Sequence, residues 1–377
     1  MNIIKTGVLL LALFVGGIAG IASAAEFIVG VQAPITGPYA SEGQGMENAI
    51  KLIAKQVNAT GGVNGDTIKV IVCDDEGKPQ GAVTCAKRLI AGGAKAVIGS
   101  YTSGATLASQ NAYGKAKVLQ TSDATNPELT KTPYKTYFRV SYNDNIEGDF
   151  TANYMVNVGK YKRIAIISDG SSFADGLAGA TTASLKKLNG NVVYSGKIDP
   201  KTQDYRAVLT SIKATKPDII YYSGYYTEAG LLRKQQLQLD ITASFVGGNA
   251  TDNPEYIKIA GLNNAAGSYL VGLPIPAQLE YPEARQFMKD YQSAYNAPVP
   301  SIWVLVNADG LRVIIEAAKK TKSTAPATIA NYIRGSLKNF SGYTGLISIS
   351  EDGERTGSIY RVNMIDAKGN YQPVKNR

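Results

Sequence analysis

An alternation of short β-branched runs with longer helical patterns, run through twice, constrains this chain more than any other feature. In the first pass Phe27–Val31, Thr67–Val72, Ala96–Ile98 and Val118–Thr121 read as strands. Helical patterns over Gly45–Val57, Gln80–Ala91 and Ala105–Ala112 separate them. In the second pass, strands at Arg163–Ser168, Asn191–Tyr194, Asp218–Tyr222 and Ser244–Val246 alternate with helices over Asp175–Leu188, Tyr205–Lys213 and Thr227–Leu237. Strands joined through helices run parallel with helices on both faces, so the pattern predicts an α/β fold of two Rossmann-like units. Helical patterns at Pro282–Tyr295, Ile302–Lys320 and Pro326–Leu337 follow, then strands near Leu346–Ile349 and Ser358–Val362. The length of 377 residues fits about two such units.

Composition narrows the chemistry. The chain has no histidine, which excludes Ser-His-Asp and Cys-His nucleophile systems and every metal site that relies on imidazole. Two cysteines cannot form a structural zinc site alone. No cofactor is expected. Asp74-Asp75 is the tempting acid pair for a glycosidase, but adjacent residues of a strand point to opposite faces and cannot flank one bond. No enzyme is expected.

Residues 1–25 read as a cleavable export signal: a positive start at Lys5, an apolar run from Val8 to Ala22, and the small residues Ala22-Ser23-Ala24 before the cut. The run falls short of the roughly 20 residues that span a bilayer. No cysteine stands at the junction, so a lipid anchor is not expected. Export makes nucleic acid a poor partner for the net charge of +9, whose lysines are scattered along the chain. It also favours pairing of Cys73, at a strand end, with Cys85 on the following helix.

Open parallel sheets bind ligands where the carboxyl ends of their strands meet loops and helix N-termini. Two such loops here are rich in small hydroxyl residues: Gly99-Ser-Tyr-Thr-Ser-Gly104, which opens onto a helix, and Thr121-Ser-Asp-Ala-Thr-Asn-Pro-Glu128. Hydroxyls and free N–H groups at a helix start can hold an anion, and the same residues serve as ordinary N-caps.

The order of several motifs now carries a resemblance. They are Ala33-Pro-Ile-Thr-Gly-Pro38, Gly61-Gly-Val-Asn-Gly65, Asp74-Asp75 with Pro79, Val97-Ile-Gly99, Ala124-Thr-Asn-Pro-Glu-Leu129 and Ile219-Ile-Tyr-Tyr-Ser-Gly-Tyr225. Over the whole mature chain this resembles the type I periplasmic solute-binding proteins of ABC importers, in their leucine/isoleucine/valine-binding branch. The resemblance implies two lobes joined by three crossings, near residues 143, 273 and 354. Lobe 1 would hold 26–143 and 274–354, lobe 2 144–273 and 355–377, with a ligand clamped between them.

It also implies roles. Ser103 and Thr125, with Tyr101, Thr102 and Ala124 in the same loops, would hold a ligand carboxylate, and the carbonyl of Asp123 its ammonium. Phe173 and Tyr225 would close from the second lobe, and Trp303 would wall the side chain. One position departs from the family: Asn249 stands where the branched-chain binders carry the acid that pairs with the ammonium. Asp144, Asp123 or Glu42 could replace it, or the ligand could be an aromatic or aliphatic carboxylate or amide without an α-ammonium. A small amino acid, branched-chain or otherwise hydrophobic or neutral, delivered to an ABC permease by a monomeric protein is the leading expectation, with ligand sensing as the alternative use of the same module.

Overall fold

The computed structural model describes residues 25–374. The export signal expected over 1–25 therefore lies, apart from Ala25, outside the described residues. Two sheets carry the fold. The first contains β1 (Glu26–Ala33), β2 (Thr67–Asp74), β3 (Ala96–Ile98), β4 (Leu119–Ser122) and β5 (Tyr137–Arg139), all parallel, in the order β2-β1-β3-β4-β5. Its crossovers are α1 (Ala40–Ala59), α2 (Pro79–Ala91) and α3 (Ser103–Lys115).

The second sheet has β6 (Ile164–Ser168), β7 (Val192–Lys197), β8 (Ile219–Tyr222), β9 (Ser244–Gly247) and β10 (Tyr269–Gly272) in parallel. Two antiparallel strands, β13 (Arg361–Ile365) and β14 (Tyr371–Pro373), extend one edge, giving the order β14-β13-β10-β9-β8-β6-β7. Its helices are α4 (Asp144–Asn153), α5 (Ser172–Lys187), α6 (Arg206–Ala214), α7 (Tyr226–Gln238), α8 (Pro254–Ala260) and α9 (Leu262–Ala265). Between β10 and β13 come α10 (Pro282–Tyr295), α11 (Ile302–Thr321), α12 (Pro326–Ser336) and a small hairpin of β11 (Phe340–Gly342) and β12 (Gly345–Ile347).

These late helices return to the first sheet. α11 packs on α1, β3 and β4, and 15 of its 20 residues are buried, which suits a helix that is apolar on most of its circumference. α4 packs instead on α5, beside the second sheet. One continuous apolar core runs under both sheets, from Phe27 and Val29 through Val306 and Ile314 to Ile166 and Val246.

Several expected bounds shift for identifiable reasons. The strand expected from Ser358 is β13 and begins at Arg361, because its partner β10 ends at Gly272, opposite Arg361. The run Leu346–Ile349 pairs with β11 only as far as Ile347, opposite Phe340, and Ile349 bridges to Arg355 instead. α5 starts three residues before the expected Asp175, where the Ser171 hydroxyl accepts from Ala174 N. Phe173 is therefore in a helical turn and not in a loop. Cys73 and Cys85 form a disulfide that ties the end of β2 to α2.

Candidate functional site

The carboxyl ends of five parallel strands converge on one small cavity of about 20 Å³. From the first sheet come Tyr101 and Ser103 after β3, and Asp123, Ala124 and Thr125 after β4; α11 adds Trp303. From the second come Phe173 after β6, Tyr225 after β8, and Asn249 and Ala250 after β9. Nine of these ten were singled out from the sequence; Ala250 was not.

The first-sheet loops are held by their own hydrogen bonds. Gly99, which opens the loop after β3, has φ +121°, and a β-carbon there would sit 1.8 Å from the Gln32 carbonyl, so only glycine fits. The Thr102 hydroxyl accepts from Ala105 N at 3.3 Å and donates to the Gly77 carbonyl at 2.9 Å. That makes Thr102 the cap of α3, and it does not line the cavity. Ser103 begins the helix, and its hydroxyl accepts from Asn126 N at 3.4 Å. This joins the two hydroxyl-rich loops beside a helix N-terminus, where unpaired N–H groups favour an anion.

Arg139, at the end of β5, fixes the second loop. Its side chain is fully buried and donates to the carbonyls of Ala124 (3.0 Å) and Asn126 (2.9 Å). It also pairs with Glu354 at 3.0 Å. Sequence reasoning missed this residue, because an arginine closing a three-residue strand carries no motif.

The acids around the cavity are buried. Asp123 lines it, and burial pushes its carboxyl well above the usual range. Asp144 opens α4, donating its N–H to the Thr125 carbonyl at 2.9 Å. Its carboxylate is buried without a hydrogen bond, and burial raises it to about 7. It does not line the cavity. Glu42, a candidate replacement acid, lies in the first turn of α1, outside the cavity wall. It accepts from Ser301 Oγ at 2.7 Å and from the Asn253 amide, and burial raises it to about 7. An acid not foreseen, Glu147 on α4, accepts from the main-chain N–H of Asn249 at 2.8 Å and from its side-chain amide. Burial raises Glu147 to about 8.

Tyr225 gathers the aromatic wall: its ring centroid lies 4.6 Å from Tyr39, 5.1 Å from Phe173 and 5.9 Å from Tyr101. Tyr101 Oη, Trp303 Nε1 and Asp123 Oδ1 are buried without protein partners. Such groups carry a desolvation cost that a bound polar molecule can offset. A wider groove of about 1140 Å³ runs past Pro254, Pro276, Met288, Pro298 and Pro300. None of the strand-end loops after β3, β4, β6 or β8 lines it, so the smaller cavity holds the convergent chemistry.

Comparison with known proteins identifies the family. Residues 27–370 match the family model described as periplasmic binding protein. An amino acid binding protein of Pseudomonas aeruginosa is 32% identical over 335 residues, covering 85% of this chain and 89% of that one. The same organism's leucine-, isoleucine-, valine-, threonine-, and alanine-binding protein is 29% identical, with 91% of each chain covered. The branched-chain amino acid transporter substrate binding protein of Streptococcus pneumoniae, solved with isoleucine, superposes with a TM-score of 0.83 at 25% identity, covering 93% and 99% of the two chains. The chain belongs to the periplasmic binding protein family, in the type I branch that includes the leucine/isoleucine/valine-binding proteins.

Proposed function

We propose that this protein is the periplasmic substrate-binding component of an ABC importer, capturing a small neutral amino acid, branched-chain or of similar size. The observation that carries the reading is the convergence of nine sequence-selected residues on one cavity between the two sheets. Ser103, Thr125 and the N–H groups opening α3 hold the carboxylate, and the Asp123 carbonyl accepts from the ammonium. Phe173, Tyr225, Tyr101 and Trp303 enclose the side chain. Closing the lobes expels water, which strengthens each polar contact.

The lobes are taken to divide near residues 143, 273 and 354. The strands of the first sheet, with α10–α12 packed on it, and those of the second fall on opposite sides of these points. The protein acts as an exported monomer that presents its closed form to permease subunits and performs no catalysis. The names of its relatives support the ligand class. A neutral Asn249 in the cavity wall favours a second reading, a carboxylate without an amine.

A thermal-shift panel on unfolded and refolded protein separates them, comparing the twenty amino acids with aromatic and short-chain carboxylates. A ligand at 100 times its Kd stabilises by about 2.7 kcal/mol, enough to raise Tm by several degrees. Shifts from leucine, isoleucine, valine or alanine support the amino-acid reading. Shifts from amine-free carboxylates alone would overturn it.

A further inference from the structure

We propose that Glu147 supplies the counter-charge for the ligand's ammonium group, acting through the side-chain amide of Asn249. This rests on the amino-acid reading of the cavity and deepens it. Both carboxylate oxygens of Glu147 are occupied by one residue: Oε1 by the Asn249 main-chain N–H at 2.8 Å, Oε2 by its Nδ2. An amide held by its NH₂ group turns its carbonyl the other way. Asn249 lines the cavity, and among the described residues no protein donor reaches its Oδ1. The cavity therefore meets a carbonyl acceptor backed by the Glu147 carboxyl group, and once that group is ionised its charge polarises the contact, making it stronger than a neutral hydrogen bond. Glu147 is a positioning residue in this arrangement; Asn249 makes the contact.

The surroundings of Glu147 explain why the charge is left for a ligand. Asp144 faces it from the same helix, Tyr221 from β8, and Tyr360 from the segment leading into β13. Arg139 acts on the neighbouring Asp144 and is committed to Glu354 and to the carbonyls of Ala124 and Asn126. A buried carboxylate without a cation is costly, and an arriving ammonium supplies one. Burial places Glu147 at about 8, so the free protein holds a proton there that an ammonium displaces.

The test uses the full mature protein with two probes, L-leucine and its amine-free analogue 4-methylpentanoate, by titration calorimetry. Glu147→Gln is expected to weaken L-leucine roughly tenfold or more, the scale of a lost charged hydrogen bond, while sparing 4-methylpentanoate. Adding Asn249→Asp to that variant moves the charge into the wall and restores L-leucine binding. In the wild-type protein, calorimetry at pH 7 in two buffers of different ionisation enthalpy should show proton release with L-leucine and none with 4-methylpentanoate; this holds even if the variants fold poorly. Unchanged L-leucine affinity in Glu147→Gln, equal loss for both probes, or loss of amine selectivity only in Asp144→Asn would each overturn the proposal and leave the amino-acid reading standing. If the wild-type protein binds 4-methylpentanoate and no amino acid, the amino-acid reading itself fails.

Discussion

The side-chain amide of Asn126, in the loop after β4, donates to the main-chain carbonyl of Ser172 at the start of α5, at 2.7 Å. The bond links the two sheets' halves beside Thr125 and touches no residue's side chain within the cavity. Asn126→Ala removes this bond and the one its Oδ1 accepts from Glu128 N at 2.9 Å, and is expected to weaken ligand binding roughly three- to tenfold by loosening the closed form. Titration calorimetry measures the affinity, and small-angle scattering of the ligand-free variant should show a larger radius of gyration than the wild type.

Arg139→Met should be the more damaging change. It leaves the Ala124 and Asn126 carbonyls without donors and Glu354 without its cation. A loss of roughly 3 kcal/mol is expected, as when one member of a buried pair is removed. Urea unfolding gives the value. Stability within about 0.5 kcal/mol of wild type would show that water replaces the guanidinium without cost.

The ligand-free protein should lose stability as pH rises. Burial lifts Glu42, Asp144 and Asp252 to about 7 and Glu147 to about 8, while unfolded carboxyls titrate near 4. Between about 4 and 8 the folded chain therefore holds more protons than the unfolded chain, and stability falls across that window. Tm should be higher at pH 5.5 than at pH 8 by a few degrees. An amino-acid ligand should narrow the gap, because its ammonium favours the ionised carboxylates. Scanning calorimetry with and without ligand measures both.

Removing the disulfide should separate stability from binding. Cys73 and Cys85 close a loop of 12 residues, so Cys73→Ala/Cys85→Ala should cost about 3 kcal/mol. The pair sits in a satellite core with Leu89, Val97 and Tyr113, none of which lines the cavity. Ligand affinity should stay within twofold of wild type.

Apolar periodicity made most of both sheets legible, and it failed where burial is polar. α4 reads Asp-Asn-Ile-Glu-Gly-Asp-Phe-Thr-Ala-Asn and buries Asp144, Glu147, Gly148 and Thr151, so no apolar stripe marks it. Gly148 offered the one available signal. A β-carbon there would lie 2.7 Å from Thr181 N on α5, and that close helix contact is what sequesters Glu147. β5 (Tyr-Phe-Arg) closes on a buried arginine, and β10 (Tyr-Leu-Val-Gly) follows two short helices, so neither stood out from its surroundings. Cavity residues on the strand-end loops were readable because motif order fixes their place. Glu42 and Thr102 were placed in the site by the same reasoning, yet their side chains turn to Asn253, Ser301 and Gly77. The sequence identifies a loop, and packing decides which way each side chain points.

Three contacts bridge the cleft without entering the cavity: Asn126 to Ser172, Tyr226 Oη to the Pro38 carbonyl at 3.1 Å, and Asn253 to Glu42. Their contribution is a common increment to every guest, independent of its side chain. Altering them is expected to rescale all affinities by one factor and leave the ranking of guests untouched, whereas altering Trp303 or Phe173, which line the cavity, is expected to reorder the ranking. Strength of retention and breadth of diet are thus adjustable separately, and a lineage could shift one under selection without disturbing the other.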